Sequence, residues 1–137
     1  MSCTFFGSRD TSSLAFCAIE REILTLIKEK IFDFYVGNNG NFDRLVQLAL
    51  IKIRKEYDIN VHIVLSYIDE KALCQNQELT EFPSELALVP RRFAICKRNE
   101  LMLKRASVVI TNSKNTVGNS HSIVKRAEKM GKRIIYV

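Results

Sequence analysis

Apolar and polar positions alternate along this chain in two periods that replace one another from end to end. Short apolar runs at residues 3–6, 32–36, 61–65, 108–111 and 134–137 predict five strands. Between them the apolar positions recur at helical spacing. Leu14, Ala18, Ile19, Ile23, Leu26 and Ile27 fall on one face of a helix over 13–30, after the capping-type run Asp10-Thr11-Ser12-Ser13. Phe42, Leu45, Val46, Ala49, Ile53 and Tyr57 do the same over 42–57. A third helix is predicted over 92–105, with Phe93, Ile95 or Cys96, Met102 and Leu103 turned toward the core. A fourth covers 120–129, with Gly131 at its C-cap. Residues 66–90 hold both prolines and read as a long irregular loop.

Strand–helix alternation with short apolar strands predicts an α/β fold, a three-layer α/β/α sandwich around a mostly parallel five-stranded sheet. Right-handed crossovers bring the carboxyl ends of all strands to one edge. The expected order of the five strands is 3-2-1-4-5, which sets the loops after the first and fourth beside the crevice where ligands of such sheets lie. The length of 137 residues fits a single domain spanning 1–137.

Two of the strand-end loops carry candidate chemistry. In Cys3-Thr4-Phe5-Phe6-Gly7-Ser8-Arg9, the glycine allows close backbone approach, Ser8 offers a hydroxyl and Arg9 a bidentate fork for phosphate or carboxylate. A strand-ending turn with a solvated arginine is the plainer alternative. In Gly37-Asn38-Asn39-Gly40-Asn41 a glycine-rich loop feeds a helix, with Asn41 as expected N-cap. Unpaired backbone N–H groups at a positive dipole end suit an anion there. The loop is neither a Walker A sequence nor a full Gly-x-Gly-x-x-Gly. Asp43, in the first turn of that helix, fits either dipole stabilisation or a hydrogen bond to a ribose or base.

The loop after the fourth strand, from Asn112 to His121, is rich in hydrogen-bonding side chains and includes Ser113 and Gly118. In Pro90-Arg91-Arg92-Phe93-Ala94-Ile95-Cys96-Lys97-Arg98-Asn99 the arginines do not share one helical face, so part of that charge is solvated. His62 falls inside a strand and reads as structural.

Composition narrows the classes. A net charge of +6 suits an anionic ligand and equally a generic basic surface. No stretch approaches the ~20 apolar residues of a membrane span, so no membrane partner is expected. Met1-Ser2 leads straight into a strand without a signal peptide, which predicts a cytoplasmic protein. The four cysteines are scattered and only two histidines exist, His62 and His121, which argues against a disulfide framework or a metal centre. No cofactor is called for.

Thr4-Phe5-Phe6-Gly7-Ser8-Arg9-Asp10, Phe34-Tyr35-Val36-Gly37-Asn38-Asn39-Gly40-Asn41-Phe42-Asp43 and Arg92-Phe93-Ala94-Ile95-Cys96-Lys97-Arg98-Asn99 together resemble a small bacterial branch of the SLOG superfamily. That superfamily groups Rossmann-like domains related to the DNA-processing protein DprA and to the Lonely Guy phosphoribohydrolases. The resemblance runs through nearly the whole chain, in matching order. It implies a nucleotide-like small molecule bound over the strand ends by Gly7, Ser8, Arg9, Gly37, Asn38, Asn39, Gly40 and Asp43, with Arg98, Asn99, Ser113 and Gly118. The Pro-Gly-Gly-x-Gly-Thr-x-x-Glu motif of the phosphoribohydrolases has no counterpart here, so their activity does not carry over.

Three functions follow as expectations. The first is a binding or sensing domain for a nucleotide-derived ligand. The second is a hydrolase of a nucleotide N-glycosidic bond with Asp43 as the catalytic acid or nucleophile. The third is nucleic-acid binding through the basic 91–105 helix, against which the lack of interleaved exposed aromatics counts. A homo-oligomer stays open.

Overall fold

The computed structural model describes residues 1–68, 76–112 and 119–137, the side chains of 119 and 120 excepted. Its centre is strand β1 (Ser2–Phe6), buried along its whole length. The other strands are β2 (Asp33–Val36), β3 (Asn60–Val64), β4 (Thr80–Glu81), β5 (Val108–Thr111) and β6 (Arg133–Tyr136). All the pairings are parallel, in the order β4-β3-β2-β1-β5-β6. The five strands expected from the apolar runs keep their predicted order. The sheet gains a sixth, β4, two residues long and docked on the outer side of β3.

Among the described residues four α-helices cover the sheet: α1 (Phe16–Lys28), α2 (Gly40–Ile53), α3 (Arg91–Arg105) and α4 (Asn119–Lys129). Successive strand residues point to opposite faces, so each buried strand feeds two cores. On one face Phe5, Phe34, Val36, Ile63, Val108 and Ile110 meet Ile19, Ile23 and Leu26 of α1 and Leu45, Val46 and Ala49 of α2. On the other, Phe6, Val64 and Val109 meet Met102 and Leu103 of α3 and Ile123, Val124 and Ala127 of α4.

Helix ends depart from the sequence reading for local reasons. Ser12 caps a 3₁₀ turn at Ser13–Ala15 by accepting the Leu14 N–H at 3.2 Å, so α1 starts only at Phe16. The tighter turn rotates Leu14 out of the expected core face and leaves it 89% exposed. Helix α2 stops at Ile53, and Tyr57 is exposed rather than on the core stripe. Gly131 takes a φ of +75° just past α4, as its C-cap role requires.

Strand order reverses between β1 and β5, because the chain builds outward from β1 to β3 and β4 and then returns through α3 to β5. Helix α3 runs antiparallel to the strand that follows it. Its first turn therefore lies at the same edge as the loops after β1, β2, β3 and β5. Among the described residues no helix is long and apolar enough to cross a membrane.

Candidate site at the carboxyl edge of the sheet

The loop after β1 is held from both sides. The backbone N–H of Ser8 donates to Asn112 Oδ1 at 3.0 Å, and Asn112 Nδ2 donates to Thr11 Oγ1 at 2.8 Å. Thr11 Oγ1 in turn donates to the Ser8 carbonyl at 2.7 Å. Asn112, just past β5, thus ties the two central strand ends together. Sequence spacing gave no sign of this role, beyond placing Asn112 in a hydrogen-bonding loop at the crevice.

From the other side comes the start of α2. The Asn41 N–H donates to the Arg9 carbonyl at 3.1 Å and the Phe42 N–H to the Ser8 carbonyl at 3.4 Å. Asn41 Nδ2 also donates to the Thr11 carbonyl. The N-cap is Asn39, two residues before the expected Asn41, and its own N–H donates to Asp43 Oδ2 at 3.0 Å. The N–H groups of residues 39, 41 and 42 are therefore engaged within the protein.

The three loop glycines are explained by these close approaches. A Cβ on Gly7 would sit 2.1 Å from Phe42 Cγ, inside the buried ring. Gly40 has a φ of +87° and would press a Cβ to 2.9 Å from the Arg9 backbone. At Gly37 a Cβ would meet the Arg98 guanidinium at 2.7 Å and Asp43 Oδ2 at 2.8 Å. Replacing Gly7 by alanine should consequently destabilise the domain by about 1–3 kcal/mol, the usual penalty for overpacking a filled core. A urea-unfolding midpoint equal to that of the wild type would show that Phe42 yields freely.

Asp43, Arg98 and Asn99 form one buried polar cluster with Asn38 and Asn39. Asp43 is 6% exposed and Arg98 3% exposed. Arg98 donates through Nη1 to Asn39 Oδ1 at 2.5 Å and to Asn38 Oδ1 at 3.4 Å, and through Nη2 to Asn99 Oδ1 at 3.0 Å. Gln47 Nε2 fixes the Gly37 carbonyl at 2.7 Å. Burial pushes the Asp43 carboxyl up to about 6, against the opposing pull of Arg98 and the Asn39 N–H. The same burial lowers the Arg98 guanidinium, countered by Asp43.

Helix α3 turns differently from expectation. Its inward face is Ala94, Arg98, Asn99, Met102 and Leu103, while Phe93 faces out at 48% exposure and Cys96 is exposed. Arg92 lies over the Phe93 ring at 4.7 Å, and Arg91 over the Tyr67 ring at 4.2 Å. An aromatic pair does accompany the basic residues, because one ring comes from the helix and the other from the end of β3.

Of the residues singled out from sequence, Gly7, Ser8, Arg9, Gly37, Asn38, Asn39, Gly40, Asp43, Arg98 and Asn99 converge at this edge. Ser113 and Gly118 lie outside the described residues. Ser8 and Arg9 reach the surface, whereas Asp43, Arg98 and Asn99 lie beneath it. His62 is away from the strand ends, stacked on Tyr35 at 4.4 Å and beside Glu81, as a structural residue would be. Among the described residues no group of three or more His, Cys, Asp or Glu side chains is placed to hold a metal ion.

No protein-family model matches the chain, and no curated protein matches it either. Solved structures do. DNA processing protein A from Streptococcus pneumoniae superposes with a TM-score of 0.71 at 18% identity, covering 97% of this chain and 48% of that one. DNA processing protein A from Helicobacter pylori, described for its single-stranded DNA binding mode, gives the same score and identity over 98% of this chain and 63% of its own. The chain thus spans about half of the first of these proteins and just under two thirds of the second. At 18% identity the likeness is one of fold, and it bears out the Rossmann-like α/β architecture expected from the sequence.

Proposed function

We propose that this domain binds single-stranded nucleic acid along the carboxyl edge of its sheet. The observation that carries the reading is the distribution, on a DprA-like fold, of arginines that have no carboxylate partner among the described residues. Away from the edge, Arg54, Arg105, Arg126 and Arg133 are each paired with a carboxylate. Arg9, Arg44, Arg91 and Arg92, all exposed on the strand-end loops or the first turns of α2 and α3, have no carboxylate partner among the described residues. Arg21 on α1 is the one other exposed arginine without such a partner. Guanidinium groups that share one rim and meet no carboxylate among the described residues are suited to a polyanion's phosphates. The likeness to a protein described for its single-stranded DNA binding supports the same direction.

Fluorescence anisotropy with a labelled oligothymidylate tests this. If the four arginines each meet a phosphate, the affinity should fall about 50-fold between 50 and 200 mM salt, since each neutralised phosphate of a single strand adds ~0.7 to the salt slope. Absence of binding at 50 mM salt would remove the reading.

A nucleotide-sized ligand is the second reading, favoured by the exposed Arg9, which packs against Gly40 just past the end of β1 and follows Ser8 in the same loop. A mononucleotide at ~100 times its dissociation constant should then add ~2.7 kcal/mol of stability, while the oligonucleotide adds nothing. Hydrolysis through Asp43 has less support. The side chain is buried and its Oδ2 already accepts the Asn39 N–H, so a carboxylate open to an anomeric carbon is not what the geometry offers.

A further inference from the structure

We infer that the Tyr67–Arg91 and Phe93–Arg92 pairs form a stacking platform for unpaired bases, so that the domain holds a single strand by its bases as well as its phosphates. The inference rests on the nucleic-acid reading above and deepens it. Two features separate these pairs from ordinary surface arginines. Their guanidinium groups lie over aromatic rings, at 4.2 and 4.7 Å from the ring centroids, and neither has a carboxylate partner among the described residues. In contrast, Arg105, which also approaches a ring at 5.7 Å, is held by Glu81 at 3.0 Å.

The Phe93 ring is available, and Tyr67 is partly exposed. Phe93 leaves nearly half its surface in water on a helix whose inward face is already filled by Ala94, Arg98, Asn99, Met102 and Leu103. Burying that ring against a base would remove apolar area from water. A guanidinium is planar and weakly hydrated, and offers its outer face to a base while the inner face rests on a ring. Arg91, Arg92 and Phe93 are consecutive in the first turn of α3, so the two pairs lie within one helical turn.

The position also fits. Tyr67 follows the end of β3, the strand that pairs with β2. The platform therefore continues the edge that Asn38, Asn39 and Arg98 build at the end of β2. A strand running along that edge would pass from the Arg9 and Arg44 cations onto the stacked pairs. Recognition of this kind tolerates any sequence, because every base has a π-face, and it disfavours a duplex whose bases are already stacked.

The test compares wild type with Phe93→Ala and with the charge-preserving double variant Arg91→Lys/Arg92→Lys, each against oligothymidylate and an abasic oligonucleotide of equal length. Phe93→Ala should weaken oligothymidylate binding about 5- to 150-fold, the range for losing one stacked base. The lysine variant should also lose affinity while its salt slope stays that of the wild type. The abasic strand should bind wild type and Phe93→Ala alike. Melting midpoints near the wild-type value, expected because these side chains are exposed, confine the losses to binding. If wild type binds oligothymidylate and both variants bind equally well, the platform is wrong while the nucleic-acid reading stands. Equal affinity of wild type for the abasic strand has the same meaning. If wild type binds no strand, both fall together.

Discussion

Replacing Arg98 by methionine should destabilise the domain by about 3–5 kcal/mol, the usual consequence of removing one partner from a buried charged pair. The side chain is 3% exposed and donates to Asn38, Asn39 and Asn99 while standing beside Gly37 and the Asp43 carboxylate. Methionine fills part of the same volume but donates nothing. It strands three amide oxygens and leaves the buried carboxylate without its opposing charge. For a domain of this size the melting midpoint should drop by roughly 10–20 °C. Lysine in its place should recover only part of the loss, because an ammonium cannot reproduce the fork that reaches both asparagine oxygens on one side and Asn99 on the other. A ligand-contacting arginine on the surface would behave otherwise, with affinity lost and stability kept. A midpoint within 3 °C of wild type would mean that this cluster does not hold the edge together.

How much of this could be read from the sequence follows from where each signal is written. The five main strands and their order were legible because each is a local apolar run and the crossover rule does the rest. Strand β4 was not, since Thr80–Glu81 is two residues long and carries no apolar run; its existence depends on pairing with β3. From the sequence the loop glycines read as room for a ligand, Gly7 through close backbone approach, but the groups that approach them belong to the protein itself. They are Phe42, Arg98 with Asp43, and the Arg9 backbone.

The orientation of α3 is less legible still. Phe93, Ile95 and Cys96 with Met102 and Leu103 make a tempting apolar set, yet the helix buries Arg98 and Asn99 and exposes Phe93. What turns it is the group of partners waiting at Asn38, Asn39 and Asp43, more than fifty residues away in the chain. No local pattern encodes that. The same rotation supplies the exposed ring whose absence had counted against nucleic-acid binding.

Substituting Asp43 by asparagine should raise stability at neutral pH and abolish a pH dependence that the wild type shows on the acid side. Burial raises this carboxyl from 3.8 to about 6, so the folded state binds the proton more tightly than the unfolded chain does. The stability contributed by protonation is therefore complete below about pH 4, declines as the pH rises toward 6, and is gone above it. The total is about 3 kcal/mol, from roughly two units at 1.36 kcal/mol each. Asparagine keeps the neutral form at every pH, and its Oδ1 can still accept the Asn39 N–H. Urea unfolding between pH 4 and 7.5 should thus find the two proteins alike at the acid end and the variant ahead by about 3 kcal/mol at the neutral end. A variant that is weaker than wild type at pH 7 would mean that the attraction of Arg98 outweighs the burial of Asp43. The two buried residues can also be tested against each other. On the Asp43→Asn background Arg98→Met should cost less than it does alone, because no carboxylate is then left stranded. Equal costs on the two backgrounds would place the importance of Arg98 in its asparagine partners rather than in Asp43.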